Sequence, residues 1–109
     1  MNDLKPIMLK LEGSGKSQRL LAGIPITAGM KSGFVTLKPQ ESIGEHKTES
    51  KEEVIIVLAG KADVYIEGKL MFSAGGENLI YIPPQTNHDI KNNNDTTLRY
   101  VYIVTPVLP

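Results

Sequence analysis

Residues 44–60 read GEHKTESKEEVIIVLAG, and the rest of the chain is organised around them. One imidazole, His46, is followed by the hydroxyl of Thr48 and the carboxylate of Glu53. The apolar run Val54-Ile55-Ile56-Val57-Leu58 comes next, ending near the turn residue Gly60. That run is short, β-branched and bounded by turn residues, which predicts a buried strand. A second stretch answers it at residues 76–92, GENLIYIPPQTNHDIKN, with the only other histidine, His88. Here Pro83-Pro84 must stop a strand, because proline cannot donate to a β-ladder.

The same reading extends outward. Residues 17–22 and 33–38 are predicted strands on either side of the Gly/Pro-rich GIPITAGMKSG. Residues 62–67 and 69–73 form a predicted hairpin about Glu67-Gly68. Strands are also expected at 78–82, 88–91 and 96–105, and a terminal strand within residues 1–12, around Ile7-Met8-Leu9. Eight to ten short strands with regular turn signals, and no amphipathic helix, argue an all-β antiparallel sandwich or barrel. Spacing alone fits an immunoglobulin-like sandwich and a jelly roll equally well.

A chain of 109 residues makes one structural domain with a single core. Its 12 basic and 12 acidic residues cancel, leaving no electrostatic footprint for nucleic acid. With no cysteine, thiol catalysis, Cys-ligated zinc and disulfides are excluded. The N-terminal residues lack the apolar core of a signal peptide, and no stretch approaches the ~20 apolar residues of a membrane span. The expectation is a cytoplasmic protein with no membrane partner. Gly13-Ser14-Gly15-Lys16-Ser17 superficially suggests a phosphate-binding loop. Lys10 stands where that motif needs its first glycine, and Gly23 and Pro25 forbid the long helix that should follow. A turn is expected there.

Taken together, the two stretches resemble the two motifs of the cupin family of small β-barrels. His46, Glu53 and Gly60 fall on the first motif, with Thr48 where a second histidine belongs. Gly76, Pro83, His88 and Asn92 fall on the second, with one extra residue after Gly76 and Gln85 in place of a glycine. The resemblance covers about residues 33–105. It implies a double-stranded β-helix or jelly-roll barrel over residues 33–109, with residues 1–32 packing on it as strands and loops. It also implies one divalent metal ion on His46, Glu53 and His88, with Thr48 and Glu49 as further candidates for the site. Two imidazoles and a carboxylate can make a facial triad with open positions. These donors do not distinguish zinc, iron, manganese and nickel. The family spans isomerases, dioxygenases, decarboxylases and plain binding modules, so the resemblance selects no reaction. A small organic ligand or substrate in the barrel is expected, with a non-catalytic binding or sensing domain as the alternative.

Two points of geometry qualify this. His46 and Thr48, two apart, leave one face of a strand. Glu53 lies at an odd offset from His46 and reaches that face only if the chain turns, which the polar run Glu49-Ser50-Lys51-Glu52 allows. Arg99 is expected as a rim residue in solvent, Tyr81, Tyr100 and Tyr102 as packing residues, and Asn92 as the brace of a loop. Strands 54–58, 79–82 and 98–104 carry apolar residues on both faces. An all-β chain has no helices to cover an outer sheet face, so a homodimer is expected.

Overall fold

The computed structural model describes residues 3–13 and 15–108. Nine strands form two sheets and, among the described residues, there is no helix. The strands are β1 (Ser17–Ala22), β2 (Lys31–Leu37), β3 (His46–Lys47), β4 (Lys51–Ala59), β5 (Lys61–Ile66), β6 (Lys69–Gly75), β7 (Asn78–Ile82), β8 (Asn87–Lys91) and β9 (Leu98–Pro106). One sheet has the order β1-β2-β9-β4-β7 and the other β3-β8-β5-β6, all pairs antiparallel. The chain crosses repeatedly from one sheet to the other. The result is the double-stranded β-helix that the two motifs implied.

The core fills the space between the sheets. Val35 and Leu37 of β2, Ile55 and Val57 of β4, Val64 of β5, Ile90 of β8, and Leu98 and Tyr100 of β9 are almost entirely removed from water. Each set alternates along its strand, as the two-residue period of a pleated strand requires. The hairpin at Glu67-Gly68 has both central residues at positive φ (50° and 82°), which is the geometry whose twist matches the flanking strands. At Gly60 the chain turns at φ 83°, and a Cβ there would lie 2.4 Å from the Thr97 carbonyl oxygen. Only glycine lets the strand end that close to β9.

Asn92 is the brace the sequence suggested. Fully buried, its side-chain amide donates to the carbonyls of Leu37 (2.9 Å) and Thr96 (2.8 Å), and its Oδ1 accepts from the Asn94 amide (3.1 Å). One asparagine thereby satisfies three backbone groups at a corner where no ladder reaches.

The expected terminal strand is not formed. Residues 3–12 contain no strand, and residues 1 and 2 of the expected segment lie outside the described residues. The Gln18 side chain does the holding instead: it donates to the Lys10 carbonyl and accepts from the Glu12 amide. The neighbouring Gly13, Gly15 and Lys16 lead directly into β1 rather than a helix, so the phosphate-loop reading fails on structure as well; Ser14 lies outside the described residues.

Candidate metal centre

His46 and His88 are directly opposed across the β3–β8 ladder, with ring centroids 4.1 Å apart. Glu53 comes from β4, in the facing sheet. The odd offset between His46 and Glu53 is resolved by a change of sheet. The Lys51 amide donates to the Thr48 carbonyl at 3.2 Å, and Glu49 sits at φ 58°. The turn is shorter than the polar run suggested, because β4 already begins at Lys51. Glu52 consequently falls on the outer face, where it accepts a 2.7 Å hydrogen bond from the Tyr81 hydroxyl.

Three donor atoms converge. The ligand-type atoms of His46, Glu53 and His88 lie within 4.8 Å of one another. The Nε2 of His88 is 3.1 Å from Glu53 Oε1, and that of His46 is 4.0 Å from the same oxygen. On the far side of each ring, Nδ1 faces a backbone carbonyl, Gly44 for His46 (3.0 Å) and Thr86 for His88 (3.3 Å). A carbonyl can only accept, so the tautomer of each ring that suits a metal ligand, with its proton on Nδ1 and its Nε2 lone pair turned to the site, is the one these carbonyls support. Imidazoles that ligate metals are held by this kind of support. The residues present therefore fit a divalent ion.

The environments of the rings differ. His88 is fully buried and Glu53 nearly so, whereas the His46 side chain is about half exposed at 49%. Burial alone would lower the His88 pKa. The Glu53 hydrogen bond and charge oppose it, helped by the Thr86 carbonyl and Asp89, and the net direction is upward from the ordinary 6.5. Without a metal, the 3.1 Å contact is a hydrogen bond from His88 Nε2 to Glu53, which becomes a buried ion pair when the ring is protonated.

Thr48 is buried beside these groups, but its hydroxyl is committed elsewhere. It donates to the Pro83 carbonyl (2.7 Å) and accepts from the Thr86 amide (3.0 Å). The same Thr86 presents the carbonyl that faces His88 Nδ1. Thr48 is thus a strut for the loop that orients the buried histidine. The supporting roles of Gly44 and Thr86 had no signal in the sequence beyond their position two residues before each histidine.

A cavity of about 370 Å³ opens next to His46 and Glu53. Thr48 and Glu49 both line it, as do Lys31, Ile43, Tyr102 and Val104. Tyr102 owes its position to Gly33, its cross-strand partner, since a Cβ at Gly33 would lie 2.6 Å from the Tyr102 ring. Tyr100 lies deeper, in the core; burial first, then the charge of Glu53, raises its phenol well above the ordinary range, so it stays neutral. Arg99 is exposed on the outer face of β9, opposite in parity to this wall.

Comparisons agree with this architecture. Two Streptomyces proteins are similar in sequence. Polyketide synthase CurC of Streptomyces cyaneus is 31% identical over 98% of this chain and 70% of its own length. Protein SchB of Streptomyces halstedii is 33% identical over 78% of this chain, which matches 63% of its length. Among solved structures, an RmlC-like cupin from Methanocaldococcus jannaschii superposes with a TM-score of 0.76 at 18% identity, covering 94% of this chain and 90% of that one. A Photorhabdus luminescens protein gives 0.75 at 20% identity, covering 93% and 88%. At such identities these structures speak for the fold. The model of the cupin domain matches residues 33–104, the span that holds both histidines, Glu53 and every strand of the barrel but β1, the start of β2 and the end of β9, and the chain belongs to the cupin family.

Proposed function

We propose that His46, Glu53 and His88 hold one divalent metal ion and that a small organic molecule enters the adjacent cavity. The observation that carries this is the convergence of two Nε2 atoms on one carboxylate oxygen, each ring fixed from behind by a backbone carbonyl. An ion bound there supplies Lewis acidity toward a carbonyl or enediol oxygen, or activates water or dioxygen. The protein's own residues define the rest. Glu53 neutralises part of the ion's charge, the buried His88 anchors it, and the half-exposed His46 marks the side open to the cavity. The likeness to a protein named for polyketide synthesis supports a substrate with a polyketide-type carbon skeleton.

The test is elemental analysis of protein purified without a metal-affinity tag. About one ion per chain is expected, lost in His46→Ala and Glu53→Gln. A second reading is favoured by the direct 3.1 Å contact of His88 with Glu53, which satisfies both groups without an ion. Under it the protein is a non-catalytic binding or sensing cupin. An empty site with an organic ligand retained would establish that reading and sink the first.

We also propose a homodimer. Val54, Ile56, Val101 and Ile103 on the outer face of the five-stranded sheet are only partly covered, and Leu79 and Tyr81 beside them are exposed. Sedimentation at micromolar concentration should give twice the 11.9 kDa chain mass; a species at the chain mass would refute it.

A further inference from the structure

The charge around the cavity is one-sided, although the chain as a whole is neutral with 12 basic and 12 acidic residues. Lys31, Lys47 and Lys51 all line it. They come from three strands, β2, β3 and β4, so their meeting is a product of the fold and not of local sequence. Among the described residues, the only ion pairs are those of Glu53 with the two histidines, and no lysine ammonium has a carboxylate partner. Arg19 extends the same field: it lines an adjoining hollow that shares Lys31 and Tyr102 with the cavity. Against these four cations the lining offers the carboxylates of Glu49 and Glu53, and Glu53 is already engaged by His46 and His88.

The remaining wall is apolar. Ile43, Val104 and the ring of Tyr102 provide it, and the ring is laid over Gly33, where no side chain intervenes. Lys31 is braced as well, its stem running close over Gly23, where a Cβ would lie 2.9 Å from its Cε. A braced cation loses less freedom when it binds an anion than one waving in solvent. Cations at the mouth, an aromatic wall and a volume of about 370 Å³ describe one ligand chemistry.

We propose that the cavity binds an organic oxyanion on an apolar or aromatic frame: a carboxylate, enolate or phenolate, of one or two rings in size. Its charge lies against Lys31, Lys47 and Lys51, and its frame against Tyr102, Ile43 and Val104. This deepens the proposed function and rests on the cavity being the entrance to the metal centre.

The probe is 2-naphthoate, compared with the neutral isostere 2-naphthamide, by calorimetry at pH 7 on metal-loaded and on chelator-treated protein. The anion should bind about tenfold tighter than the amide, the usual scale for a hydrogen bond to a charged group discounted for exposure. Its affinity should fall as salt is raised. Lys31→Gln combined with Lys51→Gln should remove most of that preference in a variant that still folds cooperatively and still takes up metal, since both lysines are exposed. Lys47→Gln alone, the milder change, should remove part of it. Equal affinity for anion and amide overturns the proposal, as does absence of naphthoate binding, or a preference that survives the lysine substitutions. A lysine-dependent preference in protein that takes up no metal keeps the ligand assignment and overturns the metal reading. Stoichiometric metal with no preference does the reverse.

Discussion

The barrel has a dry end and a wet end, and the same strands build both. Along β9 the inward residues run from Leu98, with no exposed surface, through Tyr100 at 2%, to the half-buried Tyr102 and Val104. Along β4 the order is reversed, from Glu53 at the cavity to Ile55 and Val57 in the core. At the dry end Leu37, Val57, Val64 and Leu98 interlock, and Gly60 and Asn92 seal the corner. At the wet end the aliphatic packing gives way to two imidazoles, a carboxylate and an open volume. Glu53 and His88 each sit on a strand whose other inward residues are locked in the core, which gives them fixed positions, while His46 on the two-residue β3 is held by its ladder to β8.

If this division holds, substitutions at one end should change stability and at the other affinity. The largest effect is expected for Leu98→Ala, which should cost about 4 kcal/mol of stability by urea denaturation and leave the metal affinity of the folded protein unchanged. Asn92→Ala comes next at about 3 kcal/mol, because it removes the partner of the buried Leu37 carbonyl, the Thr96 carbonyl and the Asn94 amide at once. A loss of metal affinity in either folded variant would break the comparison.

At the wet end, Glu53→Gln should lower metal affinity about 100-fold, ~2.7 kcal/mol, measured by competition with a chelator, and it also removes the partner of the buried His88. Acid should act in the same direction. His88 holds its proton more tightly in the metal-free fold than in the unfolded chain, so the His88–Glu53 pair stabilises that fold fully below about pH 6.5 and is lost as pH rises through the raised value. A metal must displace this proton. As the pH is lowered, affinity should therefore begin to fall while still above pH 6.5 and continue to fall at up to about tenfold per pH unit for each proton displaced. An unperturbed histidine would place the onset lower, at about pH 6.5. Affinity constant from pH 8 to pH 5 would contradict the assignment. The smallest change is expected from Thr48→Val, about 1 kcal/mol of stability and a few-fold in metal affinity, because the strut for the Thr86 loop is removed while every ligand stays.

The sequence was most legible where backbone chemistry leaves little choice. Gly60, the Glu67-Gly68 turn and the Pro83-Pro84 stop mark strand ends that the structure reproduces to within a few residues. The positions of His46, Glu53 and His88 were legible through the spacing of two motifs, but their mutual geometry was not. It depends on β3 and β4 belonging to different sheets, a long-range fact invisible to the parity of residues along one strand. The N-terminal expectation failed for a related reason. Alternating Lys and Leu in residues 3–12 suits a strand, yet a strand needs a neighbour's backbone, and here the Gln18 side chain supplies the contacts instead. The lysines of the cavity were illegible because each is an ordinary surface residue until three strands bring them together.

The donors of the site are divided between the two layers of the barrel: both histidines on one sheet, the glutamate on the other. An ion shared by them would act as a rivet through the sandwich, and prising the layers apart would require breaking coordination as well as emptying the core. Metal supply would then set mechanical and thermal resilience, with the melting temperature climbing as free metal exceeds the dissociation constant and dropping when a chelator removes it. The open end of the barrel, poorest in packing, would be the part that such a fastening stiffens most.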